Sequence, residues 1–368
     1  MHASLFHLSV IWLYTAVLIV LAGALVFRMM IFFPALRTAG LSGEELFIVE
    51  SEGLRTLRKI GLICVILLGS TACIDLLMRA EMMSRKPVWE VVPILPMIVL
   101  KTHIGNVWIK KMATLVLLLF FLLLINIRTW KGLRFLIVGG IAALCLTSAQ
   151  SGHAADKGDY SFMILADWVH LSAIACWIGS LFPLRLFLPA LLKKIGSKDQ
   201  LTLKCEIVNR FSTMALWSVL ALSASGIYAA CIHIPTFEAL FSTAYGAVLL
   251  FKITFFFLLI LLGAFARFYI RPSFRKLTGQ PIGESSPLNL FNNLLGRLAG
   301  GKEEALKRRI QLRFNSETMA TLHLNLIVAI QCLIAVIVIG ISAMLTQTSP
   351  PPLKPSNEMP AMHDMKHM

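Results

Sequence analysis

Long apolar runs recur along this chain and are separated by short polar stretches. A helix needs about 20 apolar residues to cross the roughly 30 Å hydrocarbon layer of a bilayer. Each run of about that length predicts one transmembrane helix, at about residues 6–27, 60–78, 112–127, 133–150, 162–186, 212–233, 246–266 and 322–346. The pattern therefore predicts an all-α polytopic membrane bundle of about eight helices.

One apolar segment, residues 88–100, does not fit this pattern. It is short, and Pro87, Pro93 and Pro96 interrupt it, so we expect a re-entrant or interfacial piece rather than a span. We divide the chain into an N-terminal membrane segment (1–100), a main membrane domain (101–347) and a flexible tail (348–368). The sequence pattern indicates no internal repeat strong enough to use.

Composition and charge support a membrane protein. The chain is 57% hydrophobic and 14% charged, whereas soluble domains carry about a quarter charged residues. The net charge of +15 does not indicate a nucleic-acid partner, because basic residues of membrane proteins gather in cytoplasmic loops. Connections on one side hold 23 Lys and Arg and those on the other hold nine, which places both termini outside. The basic loop at 269–315 is expected to rest on anionic membrane lipid.

The C-terminal tail carries the sharpest local signal. Its last ten residues hold four methionines and two histidines: Met359, Met362, His363, Met365, His367 and Met368. Thioether sulfur selects Cu(I), and imidazole suits copper and other borderline ions. The tail therefore predicts a copper-binding segment on the outer side. The alternative is a disordered terminus with methionines placed by chance.

A second signal is polarity inside the membrane. Ionisable and soft residues gather near the predicted outer face, at Asp75, His153, Asp167, His170, Tyr228, His233 and Lys252. Charged side chains in a bilayer are costly and usually mark a pathway or a site. We expect His153 and His170 to bind metal, and Asp75, Asp167, Tyr228, His233 and Lys252 to line a transport pathway.

Asp167 and His170 are three residues apart and share one helix face, so the carboxylate is predicted to orient the imidazole. The alternative is a structural ion pair between Asp167 and Lys252, with the histidines capping helix ends. His323, near the predicted cytoplasmic side, is interpreted as structural. His2 and His7, near the N terminus, give only weak evidence.

No catalytic motif is present in the sequence: there is no HExxH, nucleophile motif or phosphate loop, so we do not expect an enzyme. The missing nucleotide-binding domain argues against a copper ATPase. The seven cysteines are scattered and include no CxxC pair, so most are interpreted as small core residues.

Several short motifs resemble the copper resistance D (CopD) family of bacterial inner-membrane proteins. They are Thr102-His-Ile-Gly105-Asn-Val-Trp108, Ser151-Gly152-His153-Ala154, Asp167-Trp-Val-His170-Leu171 with Trp177-Ile-Gly179, Arg210-Phe211-Ser212, Ser225-Gly226-Ile-Tyr228, Tyr245-Gly246 with Lys252, and the ending at 345–352. The resemblance runs over about 102–352, while residues 1–100 match only in hydropathy. Gln331 stands near the position of the family's glutamate.

The resemblance implies copper resistance or homeostasis, with copper moved across the inner membrane in either direction and with periplasmic copper-binding proteins as partners. We therefore interpret the chain as a copper permease in which Cu(I) is favoured. A rival interpretation is a b-type haem electron-transfer protein, because His153, His170 and His233 lie near the same face. A third is a scaffold that binds copper and recruits periplasmic copper proteins without transporting.

Overall fold

The computed structural model describes residues 5–125, 130–152, 158, 161–234, 236–280, 316–345 and 348. Within these residues eight helices are long and apolar enough to cross a membrane. They are α1 (Leu5–Thr38), α2 (Gly43–Ser84), α3 (His103–Leu124), α4 (Trp130–Gln150), α5 (Phe162–Leu186), α6 (Ser197–His233), α7 (Ala244–Leu277) and α8 (Glu317–Leu345). The described ranges contain no strand, and the predicted all-α bundle is confirmed.

At one end of the bundle, the helices extend beyond the apolar segments that predicted them. Helix α2 begins at Gly43 rather than near residue 60, after a capping box in which Ser42 and Glu45 satisfy each other's backbone N–H. Helix α7 continues to Leu277 past several arginines. Hydropathy marks only the apolar part of a helix, so the polar turns beyond the hydrocarbon layer were not predicted.

The proline-interrupted segment is helical but too short to span. It forms three pieces, Val88–Val91, Val92–Ile94 and Leu95–Lys101. Each proline stands at the start of a piece or just before it, where its missing N–H is not needed.

Two hydrophobic cores divide the bundle. One core lies mainly among α1, α2, α3 and α4, and includes Leu68, Leu118 and Leu144. The other joins α5, α6, α7 and α8 to the second half of α1, and includes Trp177 and Leu181. We call α1–α4 the N-terminal unit and α5–α8 the C-terminal unit.

The two units meet where α1 crosses α5. A Cβ added at Gly23 would overlap the backbone of Gly179, and a Cβ at Gly179 would overlap the carbonyl oxygen of Ile19. Ser180 Oγ donates to Gly23 O at 3.2 Å. Gly179 ends a π-helical turn, Ala175–Gly179, that widens α5 at this crossing. Glycines therefore set the close approach of the two units.

Two corners in the bundle share one geometry. Thr102 Oγ1 accepts from Gly105 N at 3.1 Å, and Thr243 Oγ1 accepts from Gly246 N at 3.0 Å. A Cβ at either glycine would overlap a carbonyl of the short helix before it. The corners open α3 and α7, the third helix of each unit. The two units thus share this corner, a similarity that the reading of the sequence did not use.

Candidate functional site

The candidate residues of the C-terminal unit gather at one end of the bundle. Asp167 and His170 lie in the first turns of α5, Ser225 lies near the end of α6, and Lys252 lies in the third turn of α7. Consecutive helices run in opposite directions, so the start of α5, the end of α6 and the start of α7 meet. We call this end of the bundle the site end; the charge count predicts that it is the outer one.

A hydrogen bond to Ser225 fixes the imidazole of His170. His170 Nδ1 lies 3.0 Å from Ser225 Oγ, and the Ser225 hydroxyl donates to Ala221 O at 2.7 Å. A hydroxyl has one hydrogen, so while Ser225 donates to Ala221 O it accepts from Nδ1–H, and Nε2 is then the unprotonated ring nitrogen. In the other tautomer the Ser225 hydroxyl would donate to Nδ1 instead. An imidazole held in this way is arranged as metal-binding histidines are.

The partner that orients His170 is not the one expected from the sequence. Among the described residues, neither oxygen of Asp167 forms a hydrogen bond to the ring, so the role predicted for Asp167 has no contact to support it. Residues three apart in a helix differ by about 60° in direction, and the short aspartate side chain does not reach a ring that points toward α6. Ser225 performs this role from the neighbouring helix.

Asp167 instead belongs to a charge group with Lys252. Lys252 acts electrostatically on both Asp167 and His170, and Asp167 acts on the phenol of Tyr245. Within the described part of the chain no ion pair of 4.0 Å or less joins Asp167 to Lys252, which disagrees with a direct structural ion pair. Asp167, His170 and Lys252 thus lie close together without a direct ion pair between Asp167 and Lys252.

A second polar cluster lies at the site end of the N-terminal unit. His7 Nε2 lies 2.9 Å from Asp75 Oδ1, and Arg79 Nε donates to Asp75 Oδ2 at 2.9 Å. Lys111 Nζ donates to Ser151 Oγ at 3.4 Å and lies 4.5 Å from the ring of Tyr14. Asp75 thus contacts His7 on α1 and Arg79 on α2, and its predicted place in a transport pathway stays a prediction.

Reading residues one at a time missed His7, Lys111 and Ser225. His7 begins the string His-Leu-Ser-x-Ile at residues 7–11, which returns at 170–174. Comparing these two strings would have linked His7 to His170. Ser225 begins one of the family-like motifs, Ser225-Gly226-Ile-Tyr228, but only the packing of α5 on α6 shows that its hydroxyl meets His170.

The structure says less about the other residues that the sequence predicted as metal ligands or pathway residues. Tyr228 is 41% exposed, on the surface of α6. His153, the side chain of His233 and the tail with Met359, Met362, His363, Met365, His367 and Met368 lie outside the described residues. Their roles therefore stay predictions.

The part of the chain that the structure describes contains no closed metal site. There, no group of three or more His, Cys, Asp or Glu is placed to hold an ion. All seven cysteines are free, and most are buried or half-buried. Gln331, at the position of the family's glutamate, is 2% exposed and donates to Leu259 O at 3.4 Å, so it packs α8 against α7.

Two family models match the chain. Residues 205–345 match the model described as copper resistance protein D, and residues 3–162 match the model described as the copper resistance protein D-like N-terminal domain. The second match includes the first hundred residues, for which the sequence had shown hydropathy alone. The two matches fall largely in the C-terminal and N-terminal units respectively.

Two curated relatives are similar to parts of the chain. The copper transport protein CutJ of Bacillus subtilis (strain 168) is 35% identical over 167 residues, which are 44% of this chain and 29% of CutJ. Copper resistance protein D of Pseudomonas syringae pv. tomato is 29% identical over 224 residues, which are 57% of this chain and 70% of that protein. The chain thus spans less than a third of the first relative and most of the second. No solved structure matches it.

Proposed function

Because the chain belongs to the copper resistance protein D family, we propose that it serves copper homeostasis by carrying copper ions across the bacterial inner membrane. One matched relative is named a copper transport protein and the other a copper resistance protein. Neither matched family model is described as an enzyme family. The eight spanning helices make the protein a multi-pass membrane protein, as a permease requires.

The contact between His170 Nδ1 and Ser225 Oγ is the observation that carries this proposal. With Nδ1 bonded to Ser225, Nε2 is the proposed copper ligand at the site end of the bundle. Imidazole is a suitable ligand for copper. The described residues supply one imidazole at this site, so the coordination of a bound ion would be incomplete. Such an open site suits an ion that must bind and then leave.

The tail supplies the first step of the proposed pathway. Its methionines and histidines would collect Cu(I) outside the membrane, since thioether sulfur prefers that ion. His153 and His170 would then pass the ion into the bundle, with Asp167 and Lys252 setting the local charge. A periplasmic copper-binding protein is the proposed exchange partner.

Metal content and visible absorption of the purified protein test this function. We expect bound copper and no Soret band, with the copper reduced in the His153→Ala, His170→Ala double variant. His323→Ala is the matched control, because His323 lies at the start of α8, at the opposite end of the bundle. A Soret band that disappears in the double variant would instead make this a haem protein.

A further inference from the structure

A buried apolar layer lies deeper in the bundle than the His170 site. Residues seven apart in a helix share a face and differ by about 10 Å in depth. Trp177 therefore lies below His170 on α5, where below means farther from the site end. Leu259 likewise lies below Lys252 on α7. Both helices thus carry a site residue and, on the same face, a buried apolar side chain of one shared core.

The indole of Trp177 spans from α5 to α7. Its ring centroid lies 6.5 Å from that of Phe256 in an edge-to-face arrangement. Its Cζ2 atom lies 3.6 Å from the point where a Cβ at Gly263 would stand. Leu222, three residues before Ser225 on α6, belongs to the same core. The layer therefore receives apolar groups from the three helices that form the site.

A layer of this kind excludes water and ions. Hydrophobic constrictions stop conduction because water leaves them, and a charge without water or ligands is costly in an apolar interior. Trp177 is 2% exposed and Leu222 is 4% exposed, so both side chains are packed on all sides. An ion held at His170 therefore meets a closed interior in this structure.

The local backbone of α5 provides a means of moving the indole. Trp177 is the middle residue of the π-helical turn Ala175–Gly179. Such turns occur frequently at functional sites. A π turn holds one more residue than an α turn, so a shift of the turn along α5 would rotate Trp177 about the helix axis. The indole can thus change direction while the ends of α5 stay in place.

We propose that Trp177 is the gate of the copper route: its indole closes the bundle below His170, and copper passes when the indole leaves the layer. The inference rests on the proposed function. Removal of the indole should open the layer to water and small ions even without copper. A tryptophan that only packs the core would destabilise the protein on removal without opening a path across the membrane.

Proton leak into proteoliposomes that contain no copper tests the proposal. A potassium gradient with valinomycin sets the membrane potential, and a trapped pH dye reports the leak. Trp177→Ala should leak faster than wild type by about tenfold or more, because the barrier in the layer is lowered. Trp177→Phe, which keeps an aromatic ring in the layer, should leak as little as wild type. The Trp177→Ala liposomes with a trapped copper indicator should also show faster Cu(I) entry.

Trp217→Ala is the matched control. It is the same substitution at a tryptophan that is 67% exposed on α6, so its leak should equal that of wild type. Leu222→Ala removes a smaller group from the same layer and tests the gate if Trp177→Ala does not fold. It should leak more than wild type.

Two results would overturn the gate while leaving the proposed function intact. One is a folded Trp177→Ala or Leu222→Ala protein that leaks no more than wild type. The other is an equal leak in Trp177→Ala and Trp217→Ala, because the opening would then not belong to the layer. Wild-type protein that accumulates no copper would overturn the proposed function first.

Discussion

At the scale of single residues, one hydroxyl determines what His170 can do. When the Ser225 hydrogen goes to the Ala221 carbonyl, Ser225 accepts from the imidazole and Nε2 is left with its lone pair. Without this bond either ring nitrogen could carry the proton, and the ring could rotate. The orientation of the ligand is thus set by a neighbouring helix rather than by the helix that carries it.

Ser225→Ala should therefore weaken copper binding while leaving the ligand in place. Loss of a group that orients a metal-binding histidine typically costs about 10- to 100-fold in affinity. Competition with a Cu(I) chelator measures the change. Ser223→Ala is the control, because Ser223 lies about 200° around α6 from Ser225. Unchanged affinity in Ser225→Ala would show that the hydroxyl does not orient the ligand.

Asp167 and Lys252, the charged residues near His170, should change the Cu(I) affinity in opposite directions. Asp167→Asn removes a negative charge and should lower Cu(I) affinity, whereas Lys252→Met removes a positive charge and should raise it. An effect of roughly tenfold in each direction corresponds to about 1.4 kcal/mol. The same chelator competition measures both variants. Changes of equal sign would contradict an electrostatic role for this pair.

At the scale of helices, glycine determines how closely α1 and α5 approach. The backbones meet at Gly23 and Gly179, where no side chain fits. In lipid, small residues at a crossing strengthen packing because backbones come into direct contact. This crossing joins the two units, so it transmits any movement of one unit to the other.

Gly23→Val should destabilise the protein by at least the 1–3 kcal/mol typical of overpacking, because the new side chain would overlap the backbone of Gly179. Thermal unfolding in detergent measures the loss. Gly69→Val is the control, since a Cβ at Gly69 on α2 meets nothing within 4 Å. Equal melting temperatures for the two variants would show that the crossing is looser than described.

Helices were predicted from the sequence better than the contacts between them. Apolar runs located all eight spans, but their ends were missed where basic residues extend the helix beyond the apolar part. Asp167, His170 and Lys252 were placed at one end from helix direction alone. The Ser225 bond and the Lys111 cluster depend on which helix faces pack together, and hydropathy does not encode this.

At the scale of the whole molecule, two four-helix units share their corners but differ in their polar residues. The C-terminal unit places an imidazole against a serine hydroxyl, and the N-terminal unit places one against a carboxylate. The proposed account assigns copper to the C-terminal unit. It also adds a collecting tail after the last helix.

Truncation after Thr348 should separate capture from transport. We expect copper uptake by cells to fall at low external copper and to recover at high copper, because the tail only concentrates the ion. Thermal unfolding of the truncated protein should match the full-length chain. Unchanged uptake and tolerance at every copper concentration would remove the tail from the mechanism.

The central claim is that copper crosses the membrane by way of His170. The most direct test is Cu(I) accumulation in proteoliposomes that hold a trapped copper indicator, comparing wild type, His170→Ala and the control His323→Ala. We predict accumulation in wild type and the control, and a loss of at least about tenfold in His170→Ala, as expected when a transport ligand is removed. Copper bound without accumulation in wild type, or equal accumulation in His170→Ala, would contradict this account.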